Sequence, residues 1–141
     1  MSQNYKNHTR YVPMFHFFAG SVILFGLIGS IVNLFHSNAE THYSAALITL
    51  IFIALVFLFW YTRSFALRAQ DRAIRAEENF RHFILTGKPL DKQLRLSQII
   101  ALRFASDDEF PELAKRAAAE KLSPKEIKLA ITNWRADYNR V

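Results

Sequence analysis

The sequence predicts an all-α membrane protein: a two-helix transmembrane hairpin whose second helix extends into a cytoplasmic rod, followed by three short helices. Three observations carry that prediction. Residues 43–61, YSAALITLIFIALVFLFWY, hold no charge, proline or glycine; as a helix rising about 1.5 Å per residue they span ~28 Å, close to the hydrocarbon thickness of a bilayer. A second apolar run precedes them. A basic amphipathic stretch follows without a break, so the mean hydropathy of +0.04 averages an apolar half with a charged one.

Residues 1–10, MSQNYKNHTR, are polar and read as a cytoplasmic arm. The hairpin then occupies residues 11–62, with helices at about 13–35 and 43–61. Pro13 suits a first turn, where its missing N–H is not needed. A signal peptide is the rival for this first run, with Ser37-Asn38-Ala39 as a small-x-small cleavage site. The run is longer than the usual ~7–15-residue apolar region, and a second span follows it directly, so a retained helix is expected. The link 36–42, HSNAETH, forces the two helices to be antiparallel neighbours. Two basic residues precede the first helix, none lies in the link, and five fall between Arg63 and Arg81. The excess of positive charge places both termini in the cytoplasm of a bacterial inner membrane. Tyr11, Tyr43, Trp60 and Tyr61 sit where interfacial aromatics belong.

Within the first span, Gly20, Gly26, Gly29, Ser30 and Asn33 belong together. Gly26 and Ser30 are small residues four apart, which lets two helix backbones approach closely. The partner is either the second helix, through Ala45, Ala46, Thr49 and Ala54, or another molecule.

From 63 to 141 the chain reads as a cytoplasmic helical domain. The rod covers 63–86, where Asp71/Arg75, Glu77/Arg81 and Glu78/His82 are acid-before-base pairs at i,i+4. Ala66, Ala69, Ala73, Ala76, Phe80 and Phe83 alternate at spacings of three and four, a heptad stripe and a candidate helix–helix interface. Two uses are open: packing on the chain's own C-terminal helices, or self-association. Arg63, Arg68, Arg72 and Arg75 supply a basic ridge for a solvated face and anionic lipid headgroups. Gly87 followed by Pro89 ends the rod. After a connector whose Leu94 and Leu96 can dock on an apolar surface, three helices are expected at about 97–105, 107–121 and 124–138. Ser97 caps the first, Ser106 with Glu109 forms a capping box for the second, and Ser123, Pro124 and Glu126 open the third. The apolar face of the third is Ile127, Ala130, Ile131, Trp134 and Tyr138.

Chemistry-bearing patterns are sparse. The chain has no cysteine, which excludes disulfides, thiolate nucleophiles and cysteine-based metal sites. His36, Glu40 and His42 in the link are too few and too loosely held to predict a metal, and His16 in the first span is not expected to hold haem or relay protons. Nucleotide-binding glycine loops and the nucleophile-elbow pattern are missing. Residues 88–141 carry eleven basic and eight acidic side chains without a concentrated patch, so no nucleic-acid partner is expected. No catalytic, cofactor or metal residue is assigned.

The stretches QIIALRFASDDEFPELAKRA and LSPKEIKLAITNWRADYNRV, with the hairpin and rod before them, resemble an uncharacterised family of small two-span inner-membrane proteins common in Bacteroidetes. Some of its sequences carry the label ABC transporter permease; two spans without a coupling-helix signature fall short of a permease domain. The resemblance implies an inner-membrane location and transfers no site residue. The expectation is a non-enzymatic scaffold or accessory protein, self-associating in the bilayer. The alternative is a small subunit of a larger transporter or respiratory complex, and third comes a membrane enzyme with no recognisable site.

Overall fold

The structure, a computed structural model, describes residues 4–5 and 11–137. The expected arm, apart from Asn4 and Tyr5, and Tyr138 lie outside the described residues. In chain order come a π-helical turn Met14–Ala19, then α1 (Gly20–His36), α2 (His42–Thr86), α3 (Leu96–Leu102), α4 (Phe110–Ala119) and α5 (Pro124–Ala130). No strand forms among the described residues, so the fold is all-α. The chain divides into one compact unit at Tyr11–Leu67 and a second containing the residues from Arg68 onward.

In the first unit, the π-helical turn and α1 form one apolar segment, Met14–His36, and α2 begins with another; both are long and apolar enough to cross a membrane. The π turn falls on the ring-rich run MFHFFA, where the sequence suggested plain α-helix. At its start, His16 Nδ1 lies 3.1 Å from the Val12 N–H, which has no intrahelical partner. The link closes tightly, with Asn38 Oδ1 accepting the Thr41 N–H at 3.0 Å.

In the second unit, Gly87 adopts φ +72° and donates its N–H to Phe83 O at 2.8 Å, ending α2 as glycine with a left-handed backbone does. The connector then docks: Leu90 and Leu94 are buried in one cluster with Ile99, Leu102, Phe104, Phe110, Leu113 and Ile127. Phe104, Phe110, Leu102 and Ile127 are fully enclosed, each contributing on the order of 1.5–3 kcal/mol of apolar burial. The fifth helix starts as expected. Ser123 Oγ accepts the Glu126 N–H at 3.3 Å, and Glu126 Oε2 accepts the Ser123 N–H at 2.7 Å.

Three expected boundaries change. The helix expected at 97–105 is Leu96–Leu102, and its opening amide, Arg95 N–H, goes to Gln98 Oε1 at 2.7 Å; Ser97 is not the cap. The helix expected at 107–121 begins at Phe110: the Ser106 N–H that a capping box would give to Glu109 goes to Asn133 O, and the Glu109 carboxylate, still 3.4 Å from Ser106 Oγ, accepts the Thr132 and Asn133 N–H groups at 3.1 and 2.8 Å. The helix expected to reach 138 stops at Ala130, with Ile131 extended. There the backbone has a better partner: Ser106 N–H donates to Asn133 O at 3.1 Å and Arg135 N–H to Phe104 O at 2.8 Å, an isolated antiparallel bridge of Ala105 with Trp134. Trp134 therefore reaches the core from an extended segment and packs on Phe104 at 5.1 Å.

Candidate functional site

Two surfaces and one charged clamp stand out. The first surface is the seam between α1 and the start of α2. Ser30, Ala45 and Thr49 are buried there, and Thr49 Oγ1 lies 3.1 Å from the Ser30 carbonyl. Gly26 lies against Phe52: a Cβ at Gly26 would meet Phe52 Cε1 at 2.1 Å. Farther along, Phe15 stacks on Phe59 at 4.2 Å with the rings within 8° of parallel. Ala45, Thr49, Phe52 and Phe59 recur at helical spacing, so small residues of α1 receive rings of α2. Ala54, Gly29 and Asn33 are expected in or beside this seam from their spacing. Ala54, Gly29 and Asn33 are all exposed instead, and nothing lies within 4 Å of where a Gly29 Cβ would be.

The second surface is the stripe on α2. Ala66, Ala69, Ala73 and Ala76 are exposed, as are Phe80 (64 %) and Phe83 (51 %). These residues are exposed and not buried against the chain's own C-terminal helices, although Ala76 and Phe80 border grooves shared with that segment. The face of α2 turned to those helices is Ile74 and Glu78, 2 % and 3 % exposed. At about 100° per residue the stripe lies on the far side of the helix from that pair. Arg68, Arg72 and Arg75 are exposed and Arg63 is half-buried.

The clamp is built around Arg81 and Arg103 and was not foreseen. Arg81 donates to Glu78 Oε2 at 2.9 Å, to Asp107 Oδ1 at 2.6 Å and to the Ala105 carbonyl at 2.7 Å, while its guanidinium lies 4.4 Å from the centre of the Phe110 ring. Arg103 binds Glu77 at 2.7 Å and Asp137 at 2.8 Å. Burial pushes the Glu78 carboxyl above its ordinary value, against the Arg81 hydrogen bond and the charges of Arg81, Arg103 and Arg135. The acids expected to pair at i,i+4 thus pair elsewhere: Glu78 at i,i+3, and Glu77 across to Arg103. Apart from the local Glu78–Arg81 pair, no local spacing announces this clamp, since its other partners are 24–34 residues apart.

The link histidines engage neighbours. His36 Nδ1 lies 2.8 Å from Val32 O, and His42 Nδ1 lies 2.8 Å from Ser37 Oγ. Among the described residues no three His, Asp or Glu side chains gather as metal ligands.

The whole chain, residues 1–141, matches DUF6526, a family of unknown function. The chain belongs to that family. This agrees with the resemblance to an uncharacterised family at the level of family alone. No curated protein and no solved structure matches the chain. DUF6526 membership brings no activity with it.

Proposed function

We propose that the protein is a non-enzymatic integral scaffold of the bacterial inner membrane, with both termini cytoplasmic, that self-associates through the α2 stripe. The observation carrying this reading is the exposure of six stripe residues at heptad spacing, turned away from the core their own chain builds. A second copy presents the same stripe, and alanine at a seam allows close approach of two like helices. The membrane part draws on a separate observation. Only 6 % and 11 % of the two apolar windows are buried inside the protein. A soluble core helix buries such a surface; a helix facing lipid leaves it outward. The arginine distribution supports the orientation, and Arg63 and Arg68, soon after Tyr61, supply charge for anionic headgroups.

The test uses the absence of cysteine as a clean background. A single cysteine replacing Ala69 or Ala73 in native membranes is expected to cross-link the chain to itself, whereas one replacing Lys125, on α5, is not. Cross-linking of Ala73→Cys to one larger protein would instead make the chain an accessory subunit. No cross-link from either stripe position would contradict both.

A further inference from the structure

A cavity of about 440 Å³ opens beside the basic ridge, lined by Arg72, Arg75, Asn79 and Lys92, with Leu90 and Ile99 among its apolar walls. Its size is that of a small-ligand site. None of its three cations forms an ion pair within the described residues. The one carboxylate at the cavity, Asp91, is spent locally, its Oδ1 accepting the Gln93 N–H at 2.8 Å. Asn79 is held in place because its Oδ1 accepts the Leu90 N–H at 2.9 Å, and its Nδ2 carries the donors that would serve a ligand. Elsewhere in this unit arginine is used differently: Arg81 and Arg103 each bind two carboxylates.

We propose that this cavity binds a phosphate-bearing ligand. Two guanidiniums offer paired N–H donors that match phosphate oxygens, and the Lys92 ammonium and Asn79 amide add further donors. Three positive charges against one carboxylate suit a mono- or dianion, and the walls formed by Pro89, Leu90 and Ile99 suit the organic part of an ester. Phosphate of this kind comes from an anionic lipid headgroup or from a soluble phosphate compound. The inference rests on the second unit alone; Ala76 of the stripe borders the cavity.

The experiment is thermal unfolding of the full-length protein in nanodiscs. Inorganic phosphate is titrated in phosphatidylcholine discs at constant ionic strength, with chloride as the reference anion, and separately phosphatidylglycerol is added to the discs without phosphate. A midpoint raised by phosphate identifies the soluble source, and one raised only by phosphatidylglycerol identifies the lipid source. In either arm the double variant Arg72→Gln/Arg75→Gln is expected to shift the half-saturating concentration at least about tenfold, the effect of losing charge-assisted contacts, while Lys125→Gln leaves it unchanged. No rise in either arm would overturn the proposal. So would a rise that the double variant retains, and the unliganded midpoint of that variant separates lost binding from lost folding.

Discussion

A side chain at Gly26 has nowhere to go while Phe52 keeps its seat, since its Cβ would lie 2.1 Å from the ring. Gly26→Leu is therefore expected to destabilise the hairpin by about 1–3 kcal/mol, the usual cost of overpacking, with part of the loss recovered by Phe52→Ala. Steric trapping or denaturant titration of the two variants in detergent checks this, and an additive pair of effects would argue against the contact. Glu78 makes a second residue-scale case. A carboxyl whose folded-state pKa is raised binds more protons folded than unfolded, so its contribution to stability is full below the unfolded pKa and is lost as pH rises through the folded value. Glu78→Gln should flatten the fall in unfolding midpoint from mildly acidic to neutral pH. An unchanged slope in that variant would assign the pH dependence elsewhere. Arg81→Ala, which removes the hydrogen-bonded partner of the buried Glu78 and leaves it only the charges of Arg103 and Arg135, is expected to cost about 3–5 kcal/mol at neutral pH. The small residue at 26 was legible from its spacing to Ser30, but its ring partner was not, because nothing local couples position 26 to position 52.

At the scale of elements, helices with strong local signals matched expectation and those decided by distant partners did not. The glycine at 87 and the Ser123-Pro124-Glu126 start act within one turn, and both boundaries were readable. Ser106 and Glu109 have capping-box spacing too, yet Glu109 spends its carboxylate on the 132–133 backbone and α5 ends early to meet it. Glu109→Ala leaves two N–H groups without their acceptor and is expected to cost about 1–3 kcal/mol, with Trp134 fluorescence shifting to the red as the 131–135 segment loosens. Glu109→Gln keeps an acceptor oxygen and should lose less. Equal losses in the two variants would mean that Glu109 acts by charge rather than by capping. The stripe on α2 was legible as a pattern, but its spacing could not say what it packs against; the contacts fall elsewhere on α2, where Asn79 bonds Leu90 of the connector and Arg81 reaches Ala105 and Asp107.

For the whole molecule, the sequence separates an apolar part from a charged part, and the chain divides into compact units at residue 67. The bilayer, the cytoplasmic side and the second copy belong to the proposal. That proposal makes one structural demand, namely that the stripe be dispensable for folding of a single chain and indispensable for assembly. Because Ala73 is exposed, Ala73→Glu should leave membrane insertion and the unfolding midpoint of each chain intact while introducing a charge into the seam between copies. The most direct measurement is light scattering of the intact complex after gentle detergent extraction from native membranes, wild type beside Ala73→Glu. The account predicts a discrete multiple of the 16.4 kDa chain mass for the wild type and a fall toward a single chain in the variant. A wild-type protein at one chain mass, or a complex whose size Ala73→Glu leaves unchanged, would contradict it.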